Sequence, residues 1–341
     1  MKDPFFIQPI PWLQRATEPV AEFFGLTTLP YHIHEVLAGA LLYGFIYYPL
    51  APFLSRLFIP RTYAQLPRKR RISWDVHIVS FVQSSLINIL ALWVMWTDEE
   101  RKAMTWEERV WGYTGGCGMI QGLAAGYFLW DLIVTVRNMD IFTIGTLAHA
   151  ISALLVYSLG FRPFVNFYAC NFILWELSTP FLNIHWFLDK LGKTGSNLQL
   201  YNGLILITTF FSCRIVYGSY QSFLVLQDIR QSLGKSPSLS QLASQGSEFG
   251  TMRFATETST VPTWLALAYL VSNLTLNSLN SYWFFKMIQA LYKRFQPSTE
   301  VPLPEKPVLA ETSALDSTAS SGLKSRAAPA VDRESELDIV N

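Results

Sequence analysis

A bilayer core about 30 Å thick is crossed by a helix of about 20 mostly apolar residues, and this chain repeats that pattern seven times. The candidate spans cover residues 35–58, 75–96, 111–135, 142–160, 164–187, 200–226 and 262–292. Half of the 341 residues are hydrophobic and only 15% are charged, so a soluble globular domain is excluded as the first reading. In lipid every backbone polar group must be satisfied within the protein, and seven helical runs meet that demand. The expected fold is therefore all-α, a polytopic membrane protein with seven transmembrane helices.

The chain divides by composition. Residues 1–69 hold an N-terminal segment, the first span and a basic loop; residues 70–292 hold the other six spans; residues 293–341 are rich in Ser, Ala, Pro and acidic residues and are expected to be a disordered tail. A polar, Ser-rich stretch at 227–261 is expected to be an extramembrane loop. The N-terminus lacks a continuous apolar stretch, so no cleaved signal peptide is expected. The cluster Arg61, Arg68, Lys69, Arg70 and Arg71 after the first span orients the chain by the positive-inside rule. It puts the N-terminus in the lumen and the C-terminus in the cytosol. A net charge of +1 gives no footprint for nucleic acid. Cys117, Cys170 and Cys213 all lie in apolar runs, as small packing residues do. Gly118, Gly122 and Gly126 stack on one face of the third span, which admits a close neighbour: another helix of the bundle, or a second copy.

Chemistry is expected where ionisable groups sit at membrane depth. Such groups cost roughly 2.5–3.5 kcal/mol each at a helix centre and so face an interior or a water-filled cavity. Asp131, His149, Glu176 and Arg214 are those groups. Glu176, Thr179 and Asn183, spaced by three and four, form a polar stripe on a helical fifth span, with His185 on the other side. Pro180 frees the Glu176 carbonyl. Two readings stand: a polar site, or a Glu176–Arg214 pair that pins two helices. Asp131 is a second carboxylate within reach of the Arg214 fork. His149 is the candidate general base, because neutral imidazole is cheap to bury and titrates near neutral pH. Combining His77, His149 and His185 with the acids spans several depths, so no metal is expected. There is no GxSxG elbow, phosphate-binding GxxxxGK[ST] or HExxH.

The stretches WDVHIVSFVQS (74–84), AAGYFLWDLI (124–133) and LWELSTPFLNIHWFLDKLG (174–192), with YNG (201–203) and Arg214, are similar to the TLC (TRAM, LAG1, CLN8 homology) domain. The likeness is nearer to uncharacterised TLC domain-containing proteins than to ceramide synthases. It implies a six-helix TLC-type barrel around a central cavity that admits a lipid, preceded here by one extra span. Ceramide synthases of the superfamily join a fatty acyl-CoA to a long-chain base with adjacent histidines. Where that pair would fall, this chain has Gly145 and Thr146, with His149 about one turn further on.

The function expected first is binding of a membrane lipid, whether phospholipid, sphingolipid or fatty acyl chain, in an intramembrane cavity, with a role in lipid homeostasis at the endoplasmic reticulum. Asp131, Glu176, Thr179, Asn183, Asn202 and Arg214 would bind the head group. The alternative is a ceramide-synthase-like N-acyltransferase using His149, for which acyl-CoA would be a substrate; no cofactor is expected. A structural or sorting role is a third reading.

Overall fold

The computed structural model describes residues 1–238 and 250–295. Among them every regular element is helical, with one isolated bridge between Leu233 and Val261. We number the principal helices α1 (Pro11–Phe24), α2 (Leu29–Phe58), α3 (Arg68–Thr97), α4 (Gly115–Arg137), α5 (Ile144–Leu159), α6 (Thr179–Lys190), α7 (Asn197–Ser232) and α8 (Thr263–Phe295). Four helical stretches are long and apolar enough to cross a membrane: Leu29–Phe58, Arg68–Thr97, Trp106–Arg137 and Asn197–Ser232. Their outward faces carry large apolar side chains such as Phe53, Ile89, Trp96 and Phe223, the pattern of helices that meet lipid rather than water.

Local chemistry sets the helix ends. The Thr114 side chain accepts from the Cys117 amide and opens α4, and Thr143 accepts from Thr146 and opens α5. Pro49 cannot donate to the ladder, and α2 passes it through a π turn at Ile46–Leu50. α7 widens in the same way at Phe211–Tyr217. α5 has 16 residues, about 24 Å at 1.5 Å per residue, which is short of the hydrocarbon thickness.

The fifth apolar run departs from the expected continuous helix. It starts at Val165, whose φ of 51° is costly for a β-branched residue. It then proceeds as a 3₁₀ turn (Asn166–Tyr168), a short helix (Ala169–Ile173) and a second 3₁₀ turn (Leu174–Ser178) before α6 begins. Pro180 sits in the first turn of α6, where its missing N–H costs nothing. Glu176 therefore lies on a tight 3₁₀ turn, and the expected stripe with Thr179 and Asn183 runs across the join of two helical segments and not along one helix.

The polar loop also differs from expectation: α7 runs to Ser232, and Thr251, Met252 and Phe254 return to the bundle. The Tyr113 amide donates to the Thr251 carbonyl at 2.7 Å, and Thr251 Oγ1 donates to Glu108 at 2.6 Å. The expected disordered tail lies mostly at residues 296–341, outside the described residues.

α4 is the central helix, with 16 of its 23 residues buried. Its glycine face is filled by α2. A Cβ on Gly126 would run into the Val36 carbonyl, one on Gly122 would lie 2.5 Å from Glu35 Oε2, and one on Gly118 would strike the His32 ring. The glycine stripe thus serves packing inside the bundle. At the end of the bundle where α7 finishes, Arg109 grips Asp228 with two hydrogen bonds of 2.7 and 2.9 Å, and the Tyr168 hydroxyl donates to the same carboxylate at 2.7 Å. At the opposite end Arg68 and Lys69 approach Asp140 at 3.2 and 3.8 Å.

This packing sets an expectation for mutants. Gly126→Ala should destabilise the chain by about 1–3 kcal/mol through overpacking. Gly44→Ala, in the same helix pair but with open space around it, should be neutral or stabilising by up to about 1 kcal/mol. Thermal unfolding of both variants in detergent checks the contrast.

Candidate functional site

The break before α6 creates the site. Arg214, on the π turn of α7, reaches across to it. Its Nε donates to Ser178 Oγ at 3.2 Å, Nη2 to Thr179 Oγ1 at 3.0 Å and Nη1 to Asn280 Oδ1 of α8 at 3.0 Å. Glu176 Oε1 lies 3.6 Å from Nη2, and the guanidinium carbon sits 5.0 Å from the Phe210 ring centroid. All of these groups are buried. One cation is therefore shared among the broken segment, α7 and α8. The helix-pinning pair is real, and it is also one wall of a cavity.

That cavity, of 90 Å³, is lined by Asp131 of α4, Thr146 and His149 of α5, Glu176, Thr179 and Arg214, among others. Five of the residues expected at a site thus converge: Asp131, His149, Glu176, Thr179 and Arg214. They arrive on four separate stretches of chain. Asp131 faces the cavity with no ion-pair partner among the described residues; Arg214 pairs with Glu176 alone. His149 makes no hydrogen bond among the described residues, and its ring is held between Phe128 and Trp283, with centroids 6.2 and 5.7 Å away.

Asn183 reaches the same region indirectly. Its Oδ1 is 2.6 Å from His77 Nδ1, and its amide donates to Ser80 Oγ at 3.1 Å and to the Thr179 carbonyl at 3.0 Å. The His77 ring stacks on Trp186 at 4.0 Å and also lines the cavity. Asn202 does not join the site: its amide donates to the Phe181 carbonyl at 2.8 Å and ties α7 to α6. His185 faces a separate cavity of 90 Å³ with Gln199, Gly203 and Met287.

Sequence reasoning did not find the parts played by His77, Ser178 and Asn280. His77 carried a signal, an imidazole in an apolar run three residues before Ser80. Ser178 and Asn280 carried none, because Ser and Asn are common in such runs.

The polar cavity shares His149 and Glu176 with an apolar crevice of 30 Å³ lined by Phe128, Tyr157, Phe172 and Tyr269. That crevice shares Tyr157, Phe172 and Tyr269 with a third of 20 Å³, which shares Phe164 with an open pocket of 390 Å³ at the end of the bundle. The polar chamber thus has a row of narrow aromatic crevices beside it.

Cys117 and Cys170 meet with their sulfurs 3.6 Å apart, both free.

An all-helical bundle with apolar outer faces and a buried polar cavity describes an integral membrane protein. Residues 73–289 match the family described as the TLC domain, and the chain belongs to that family. It is 38% identical to an uncharacterised TLC domain-containing protein of Schizosaccharomyces pombe, over 83% of this chain and 86% of that one. It is 28% identical to topoisomerase I damage affected protein 4 of Saccharomyces cerevisiae, over 78% and 87% of the two chains. With TLC domain-containing protein 4 of Xenopus tropicalis it shares 28% identity over 68% and 80%. None of these three is named a ceramide synthase.

The Arg214 network has a measurable weight. Arg214→Ala should cost about 3–5 kcal/mol, because it strands a buried carboxylate and the polar groups that faced the guanidinium. The unfolding midpoint in detergent should fall by about 10 °C. Arg214→Lys keeps the charge without the planar fork and should fall between alanine and the wild type.

Proposed function

We propose that this protein binds a membrane lipid, whether phospholipid, sphingolipid or fatty acyl chain, within its bundle and acts in membrane lipid homeostasis. One observation carries the reading: charged and polar groups from four chain segments line a chamber that shares its His149–Glu176 wall with an apolar crevice. That is the polarity profile of an amphiphile, with a head group at Asp131, Thr179 and Arg214 and a chain along Phe128, Tyr157 and Phe172. A chamber of 90 Å³ suits the polar atoms of a head group, and the chain would enter by parting the aromatic walls.

The proposal includes seven crossings, the six after α2 forming a barrel about this chamber. Alongside the four long helices, the other three are α5, the interrupted run that ends in α6, and α8. The contact of Arg68 and Lys69 with Asp140 supports placing these two segments on one face, cytosolic by its basic residues, with the N-terminus lumenal; residence in the endoplasmic reticulum is part of the same proposal. An acyltransferase reading through His149 draws less support, since a general base is oriented by a hydrogen-bonded partner and neither Asp131 nor Glu176 is hydrogen-bonded to its ring.

Mass spectrometry of lipid that copurifies with the protein tests the proposal. Asp131→Asn should lower the amount bound several-fold while leaving the unfolding midpoint nearly unchanged, because this carboxylate holds no helix in place. Wild-type protein that carries no lipid, or lipid retained equally by Asp131→Asn and by the wild type, would overturn it.

A further inference from the structure

A second buried polar cluster lies where α2 begins, beside the glycine face of α4 and apart from the central chamber. His32, His34 and Glu35 are 0%, 5% and 0% exposed, and Asp3 of the N-terminal segment closes over them. One ligand atom from each of Asp3, His34 and Glu35 lies within 4.8 Å of the others. His34 Nε2 is 2.9 Å from the Ile7 carbonyl. A carbonyl only accepts, so the proton sits on Nε2 and the Nδ1 lone pair is left facing inward. That Nδ1 is buried without a hydrogen-bond partner, and so is Glu35 Oε1. The other oxygen of Glu35 is occupied: Oε2 lies 2.7 Å from His32 Nδ1, and His32 Nε2 lies 2.6 Å from the Tyr113 hydroxyl.

Two carboxylates and an imidazole lone pair thus converge. His32 Nδ1 reaches Glu35 Oε2 at 2.7 Å and approaches Asp3 Oδ2 at 3.6 Å, but it leaves Glu35 Oε1 and His34 Nδ1 unmatched. Stranding such groups in a buried site is costly. The nearest guanidinium, Arg253, lies over the Tyr113 ring at 4.6 Å from its centroid and forms no ion pair with either carboxylate among the described residues. A small cation with open coordination positions satisfies all three acceptors at once. The surroundings are those of a metal site, where each ligand is oriented by a partner on its far side. Ile7 orients His34, and the His32–Tyr113 pair orients Glu35.

We propose that Asp3, His34 Nδ1 and Glu35 Oε1 bind one divalent transition-metal ion of the Zn²⁺ class, with a water in the fourth position. Nitrogen and oxygen ligands of this kind bind zinc at about 2.0–2.2 Å, so the three groups close in on the ion by about an ångström. Asp3 lies outside any helix and can make that movement. The ion would clasp the N-terminal segment to the bundle, where the Gly115 amide already donates to the Met1 carbonyl at 2.9 Å and the Phe5 ring meets His34 at 5.5 Å.

The test uses the full chain with an affinity tag at its C-terminus, so that Met1 stays free, stripped with chelator in detergent and then titrated with Zn²⁺. Wild-type protein should take up a tightly bound zinc, with the unfolding midpoint rising as zinc is added. Co²⁺ in its place should give visible absorption bands of a low-coordinate site. Asp3→Asn and Glu35→Gln should each weaken zinc binding by about tenfold or more and remove the cobalt bands. If Glu35→Gln fails to fold, Asp3→Asn, whose carboxylate is partly exposed, carries the test alone. Wild-type protein that takes up no zinc, or Asp3→Asn that binds it as tightly as the wild type, would overturn the proposal.

Discussion

One guanidinium is buried in the bundle, and the middle of the fold is arranged around that fact. Arg214 brings a permanent charge into a low-dielectric interior, where the ion must be given both a counter-charge and donors' partners at every nitrogen. A continuous helix could not present Glu176, Ser178 and Thr179 to it together. The 3₁₀ turn Leu174–Ser178 winds these groups tightly enough to bring them to one side, and the π turn at Phe211–Tyr217 carries the arginine toward them. Two irregularities on facing elements thus meet at one polar contact. Regular hydrogen bonding is given up locally, and the site is built from what that releases.

The glycine face of α4 plays a complementary part. Without side chains at positions 118, 122 and 126, α2 comes close enough for its backbone to touch α4, and Glu35 and His32 fit into the room left by two missing Cβ atoms. Close approach and a buried polar cluster are therefore the same arrangement seen from two helices. α4 also carries Asp131 on another side, so one helix holds both polar regions apart and fixes their separation.

Residue type and rough depth were enough to single out Asp131, His149, Glu176 and Arg214 from the sequence, since charges in apolar runs advertise themselves. The TLC resemblance rested on the stretch around Glu176, which is also where the structure is least regular. Pro180 announced a disturbance there, but proline alone does not tell a kink from two 3₁₀ turns. Asn202 looked like a site residue by composition, yet an amide is as well suited to capping a stray carbonyl, and Phe181 claims it. The His32–His34–Glu35 cluster escaped because a hydropathy scan starts a span where polar residues stop. Burial there comes from the N-terminal segment folding over the helix end, a contact between residues some 30 positions apart that no local pattern encodes. Thr251 and Met252 are loop, as expected, yet they pack against the bundle for the same reason.

The crevices beside the polar chamber, of 30 and 20 Å³, are walled by Tyr157, Phe172 and Tyr269. Nothing as wide as a methylene chain fits between these rings while they hold still. An apolar chain could enter there only as fast as side chains and helices breathe, on scales of nanoseconds to milliseconds.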